Sequence, residues 1–167
     1  MMMECYHTNK IIVANGGNAD VLKAVDACFL QERNNNNVID YVAQWRNLTW
    51  YQQCLAVFDS LIDNVVYSAD SFNQYVKTPA RLLYDGVGDC KSFTIYLASC
   101  LWALGADEVI LRFVSFNNLK IYSHVYCIAR KGAETYTLDA VERTKDGKAI
   151  FNYARPFKYN FDCKHKR

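Results

Sequence analysis

The first two thirds of the chain repeat apolar positions at three- and four-residue spacing, and the last third turns to short blocks of β-branched and aromatic residues. Val21, Leu22, Val25, Cys28 and Phe29 form one helical stripe, which Asn18 or Asp20 can cap. It should stop by Asn34-Asn35-Asn36-Asn37, because asparagine amides compete for backbone hydrogen bonds, so this run reads as a connector between helices. A second helix is expected over 38–46. Thr49-Trp50-Tyr51-Gln52 has the form of a capping box and opens a longer helix, with Tyr51, Leu55, Phe58, Ile62 and Val65 on one face and an end near Tyr67. Trp45 and Trp50 read as helix-packing residues. Pro79 suits the first position of a short helical turn over 79–84.

Next comes Gly86-Val87-Gly88-Asp89-Cys90, a tight turn that delivers a cysteine to the first turn of a helix. Asp89 is a good N-cap, Phe93, Leu97, Leu101 and Leu104 supply an apolar face, and Gly105 is the expected stop. Strands are expected over 108–116, 121–130 and 133–141, with weaker candidates over 149–153 and 157–161 and an early one at Ile11-Ile12-Val13-Ala14, closed by Asn15-Gly16-Gly17. Lys131-Gly132 and Asp146-Gly147 read as hairpin turns. Helices followed by antiparallel strands define an α+β class, with N-terminal helices packed on an antiparallel sheet. At 167 residues the chain is expected to be one domain. It divides into a helical N-terminal extension (1–48), a core (49–141), and C-terminal strands with a basic tail (142–167).

Composition narrows the function classes. Half the residues (51%) are hydrophobic, which excludes a disordered chain, and the net charge of +2 gives no reason to expect specific nucleic-acid binding. The basic cluster Lys164-His165-Lys166-Arg167 reads as a solvated tail. Seven cysteines, an odd number without a C-x-x-C pair, argue against a structural zinc site and a disulfide framework, and no metal or cofactor is expected. No signal peptide or membrane-length apolar run is visible, so the expected setting is cytoplasmic, without membrane partners.

Cys90 would lie where a helix presents free N–H groups and partial positive charge, an environment that favours the nucleophilic thiolate. A buried structural role is the simpler reading for each of the other six cysteines. Of the three histidines, His7 lies in the N-terminal segment, His165 in the basic cluster, and His124 in an expected strand. If Lys131-Gly132 is a two-residue loop, His124 faces Asp139 across the hairpin, on the same side of the sheet. A three-residue loop would put Asp139 on the other face. Cys90, His124 and Asp139 would then be nucleophile, base and orienter in that chain order, with backbone N–H groups at the helix start available to an oxyanion.

Gly88-Asp89-Cys90, Leu97-Ala98-Ser99-Cys100-Leu101, Leu104-Gly105, Ser123-His124-Val125-Tyr126 and Leu138-Asp139-Ala140 together resemble the core of the transglutaminase-like superfamily, over about 55–141. The segment from Asp70 to Leu104, with Lys77-Thr78-Pro79-Ala80-Arg81-Leu82-Leu83 ahead of the Gly-Asp-Cys, is similar to small prokaryotic and bacteriophage-encoded members. The resemblance implies a papain-like Cys-His-Asp site and amide chemistry through a thioester: peptidase or amidase action, deamidation, or acyl transfer. The implied partner is a protein or peptide substrate bearing a glutamine side chain or peptide bond. The alternative is a non-catalytic component of an assembly, such as a phage particle, in which case the chain would be virion-associated. Tyr126 stands where many members carry Trp in a His-x-Trp pattern. The oxyanion-side residue is open among Tyr67, Trp50 and Tyr84, and no acidic calcium cluster of the animal enzymes is seen.

Overall fold

The protein's structure, a computed structural model, describes residues 10–14, 18–70 and 73–167. His7 and the Asn15-Gly16-Gly17 turn lie outside them. Helix α5 (Cys90–Ala103) is the axis of the fold. Its residues from Lys91 to Trp102 are all buried, so it is enclosed on every side and not on one apolar face alone. Around it pack α1 (Asn18–Glu32), α2 (Asn36–Val42), α3 (Trp50–Asn64) and α4 (Pro79–Asp85). On its remaining side lies a four-stranded antiparallel sheet of order β7-β6-β5-β8, built from β5 (Glu108–Ser115), β6 (His124–Lys131), β7 (Glu134–Leu138) and β8 (Tyr159–Lys166). Two small pairs complete the architecture: β1 (Lys10–Ala14) with β3 (Asn73–Lys77), antiparallel, and β2 (Val66–Tyr67) with β4 (Val87–Gly88), parallel. The α+β expectation holds.

Local signals explain most of the boundaries. Thr49 closes a true capping box with Gln52 at the start of α3, Thr78 caps α4 with Pro79 in its first turn, and Asp89 caps α5. The asparagine run connects as expected, but it also starts the next helix: the Asn35 side chain accepts from Asn37 N at 2.9 Å and caps α2. That helix gives way to a 3-10 turn over Ala43–Trp45 before α3. Gly88 is required by close packing, since a Cβ there would run into the Leu82 side chain.

Four expectations need correction. Helix α3 buries Trp50, Cys54, Val57, Phe58 and Leu61, and leaves Tyr51 exposed. Its inward stripe is therefore rotated by about one residue from the expected face, with Gln53 buried because its Nε2 donates to the Trp45 and Arg46 carbonyls, both at 3.1 Å. The helix also ends at Asn64, so that Tyr67 belongs to β2. Residues 149–153 contribute isolated bridges, Arg143↔Ala149 and Leu138↔Tyr153, and no strand. The basic end is no solvated tail, because it is part of β8 and pairs with β5 along Glu108↔Lys166 to Ser115↔Tyr159. His165 there turns inward to Asp26 at 2.8 Å, and Arg167 bonds the carbonyls of Ala106 and Trp102.

Candidate active site

The parallel pairing of Tyr67 with Gly88 fixes the turn ahead of α5. Asp89, buried, then accepts from Lys91 N at 3.1 Å and Ser92 N at 3.5 Å through one carboxylate oxygen, while its carbonyl accepts from Phe93 N. Cys90 is the first residue of the helix and is only half-buried. Four other thiols are in the core, and burial pushes Cys28 up to about 12 and Cys54, Cys100 and Cys127 higher still. Half-buried Cys163 is pushed up to about 11, again mainly by burial.

His124 is the first residue of β6, next to α5. Thr94 Oγ1 donates to the Val125 carbonyl at 3.0 Å and so ties the second turn of the Cys90 helix to the strand bearing His124. His124 Nε2 donates to Asp139 Oδ2 at 2.7 Å. With Nε2 so engaged, Nδ1 is the ring nitrogen left to face Cys90, which lines the same cavity. The Asp139 side chain is 1% exposed, and its other oxygen accepts from Val141 N at 3.2 Å. Burial by itself lowers the pKa of His124, but hydrogen bonds to Asp139 and Cys90, with their charges, outweigh it and raise the imidazole to about 10.

The register that brings His124 to Asp139 differs from the expected one. The last hairpin pair is Lys131↔Glu134, so the loop is Gly132-Ala133, with Gly132 at φ 58°, and not Lys131-Gly132. Extending the observed pairing Cys127↔Leu138 by one step puts Asp139 opposite Tyr126 and diagonal to His124. Moving a two-residue loop by one position shifts the register by two, which keeps both side chains on one face. The expected proximity is therefore found, by a diagonal route. Tyr126 is buried with its ring 6.1 Å from that of His124.

The oxyanion expectation changes more. Of the backbone N–H groups at the helix start, those of Lys91 and Ser92 are held by the Asp89 cap, which leaves the Cys90 amide. Among the three aromatic candidates, Trp50 packs under Lys131 at the Leu104 end of α5, and Tyr84 is 72% exposed. Tyr67 is the one beside the site, edge-on to Phe93 at 5.7 Å. Burial, followed by the negative charges of Cys90, Asp89, Asp139 and Asp70, pushes its phenol up to about 12, so it stays protonated and able to donate.

Cys90 and His124 open onto a cavity of about 420 Å³. Its walls include Val21 and Leu22 of α1, Gln74, Lys91 and Tyr122. Asn18 braces the loop before His124 by pairing with the Tyr122 backbone, accepting from its N–H at 3.1 Å and donating to its carbonyl at 2.6 Å. Among the described residues, no group of three or more His, Cys, Asp or Glu side chains could hold a metal ion, and no helix is long and apolar enough to cross a membrane.

A central helix with a cysteine at its start, set against an antiparallel sheet, is the α+β transglutaminase-like fold. The chain is similar to the solved structure of Legionella pneumophila LapG in its calcium-bound form, with a TM-score of 0.52 and 22% identity, over 87% of this chain and 84% of that one. No protein-family model matches the chain, and no curated protein sequence does.

Proposed function

We propose that this chain is a cysteine enzyme that cleaves amides, a peptidase or amidase with a protein or peptide substrate, in which Cys90, His124 and Asp139 act together. The observation that carries the reading is the 2.7 Å contact of His124 with buried Asp139, with Cys90 and His124 together on the wall of an open cavity. In the first step Cys90 Sγ attacks the amide carbonyl carbon with its proton already resting on His124, the ring that Asp139 and Cys90 keep protonated. The tetrahedral oxyanion is met by the Cys90 N–H and by the Tyr67 hydroxyl. His124 then gives its proton to the departing amine, and the C–N bond breaks to leave a thioester. Water attacks the thioester with His124 as base, and the C–S bond breaks to restore the thiol. Deamidation of a glutamine side chain follows the same steps, and acyl transfer replaces water with an amine. A purely structural use of the fold gives no reason for an imidazole held between an accessible thiol and a buried carboxylate.

The test is iodoacetamide labelling at pH 7, read by mass spectrometry. Cys90 is expected to label first among the cysteines, and His124→Ala to slow its labelling by at least about tenfold. Equal rates in wild type and His124→Ala would remove the basis of the reading.

Tyr67→Phe separates the oxyanion role from the rest. It is expected to lower kcat on a fluorogenic peptide-amide mixture by about 10²-fold with little change in KM. The labelling rate of Cys90 should be unchanged, because alkylation forms no oxyanion. An undiminished kcat would exclude Tyr67 from the oxyanion site.

A further inference from the structure

Lys91 is an unusual residue for its place. The first turn of a helix carries partial positive charge and disfavours a cation, and a lysine is rarely buried. Here the Lys91 side chain is 6% exposed. Its ammonium bonds Asp89 Oδ2, donates to Gln74 Oε1 at 2.8 Å, and lies 3.4 Å from Asp70 Oδ2. An ammonium has three N–H bonds, and these three oxygens match them. They come from three separate segments: Asp89 from the cap of α5, Gln74 from β3, and Asp70 from the stretch after β2. Asp70 Oδ2 also accepts from Tyr75 N at 2.6 Å, which extends the tie along β3. Asp89 is 5% exposed and Asp70 14%, so the two carboxylates are held together away from most of the solvent, one residue from Cys90.

Two carboxylates and an amide oxygen are the ligands a hard divalent cation takes. LapG was solved with calcium bound. In this chain the oxygens next to Cys90 are already filled by a side chain, and they do not fit a metal as well. We propose that Lys91 is a resident cation of the active-site turn, a positioning residue that balances Asp70 and Asp89 and fastens β3 to the turn bearing Cys90, and that it makes the site independent of calcium. The proposal rests on the reading of Cys90 as nucleophile only for its effect on reactivity. The charge balance and the tethering stand without it.

With the ammonium removed, Asp70 and Asp89 face each other across a space that a cation can enter. Removing one member of a buried ionic cluster is strongly destabilising, because the remaining charges lose their partner. The experiment compares wild type, Lys91→Ala, Lys91→Gln and Lys91→Arg, each in EGTA and in millimolar calcium chloride, by thermal unfolding and by Cys90 labelling at pH 7. Wild type is expected to show the same melting temperature and labelling rate in both buffers. Lys91→Ala is expected to melt lower and label about tenfold more slowly in EGTA, and to regain at least about 3 °C and much of its rate in calcium. Lys91→Arg should behave as wild type, since it restores the charge. If Lys91→Ala does not fold, Lys91→Gln, which keeps most of the side-chain length, carries the same expectation.

A wild type that loses stability or reactivity in EGTA and recovers in calcium would overturn the proposal. So would neutral Lys91 variants whose melting temperature does not respond to calcium. The catalytic reading fails separately, through labelling that ignores His124 in every background, while the calcium response of the melting temperature would remain.

Discussion

Cys90→Ala is expected to abolish amide cleavage, with turnover of a fluorogenic peptide-amide mixture falling by about 10⁴-fold or more, while the melting temperature stays within about 3 °C of wild type. The first part follows from the chemistry: alanine cannot form the thioester, and the base has nothing to deprotonate. The second part follows from what holds the turn. The helix cap comes from the Asp89 carboxylate, the approach from the β2–β4 pairing and the tight packing at Gly88, and the anchoring from fully buried Phe93, Tyr96 and Leu97. None of these depends on the Cys90 sulfur, which is half-buried at the edge of the cavity. Circular dichroism and calorimetry alongside the turnover assay check both halves. A variant that still cleaves at the wild-type rate would show that Cys90 is not the nucleophile.

The parts of the site that depend on local rules were legible in the sequence. Asp89 reads as a cap because an acidic side chain before a helical stripe has free N–H groups to accept from, and the structure puts it there. The His124–Asp139 proximity was legible for a less secure reason. The loop was placed one residue too early, yet a two-residue loop moved by one preserves the side of the sheet, so the conclusion survived an error in its premise. The face of α3 was misread because Trp50 and Tyr51 are both apolar enough to lead the stripe, and only packing against α5 decides between them. The basic end was misread for a related reason. Charged residues alternate along a strand that covers β5, with His165 and Asp26 joining residues 139 positions apart.

Tyr67 and Lys91 were beyond reach of any local rule. Tyr67 reaches the site through a two-residue parallel strand, too short to leave a pattern. Besides neighbouring Asp89, the partners of Lys91 lie 17 and 21 positions upstream, at Gln74 and Asp70. One signal was present: a lysine in the first turn of a helix opposes the helix dipole and calls for a nearby anion. That clue asks for a partner but names none.

Asp139→Asn is expected to lower turnover by about 10³-fold or more, and to remove most of the pH dependence of stability between pH 6.5 and 10. Asparagine has nearly the size of aspartate and can still accept from Val141 N, so the chain path after β7 should survive. What it lacks is the charge. The amide can present its N–H₂ to His124 Nε2, which favours the tautomer with the proton on Nδ1, the nitrogen that faces Cys90. A base already protonated there cannot take the thiol proton. The linkage has a definite sign. His124 titrates at about 10 in the folded protein against 6.5 for the free side chain, because Asp139 and Cys90 outweigh its burial. A raised folded value means stabilisation that is complete below pH 6.5 and lost as pH rises through about 10. Without the Asp139 charge the folded value falls back towards 6.5, and that window closes. Melting temperatures measured from pH 6 to 10 should therefore place wild type furthest above Asp139→Asn at the acid end, with the gap narrowing towards pH 10. Two parallel curves across this range would mean that the His124–Asp139 contact holds no proton that the unfolded chain would release. In that case the orienting role of Asp139 would have to be given up, even if turnover had fallen.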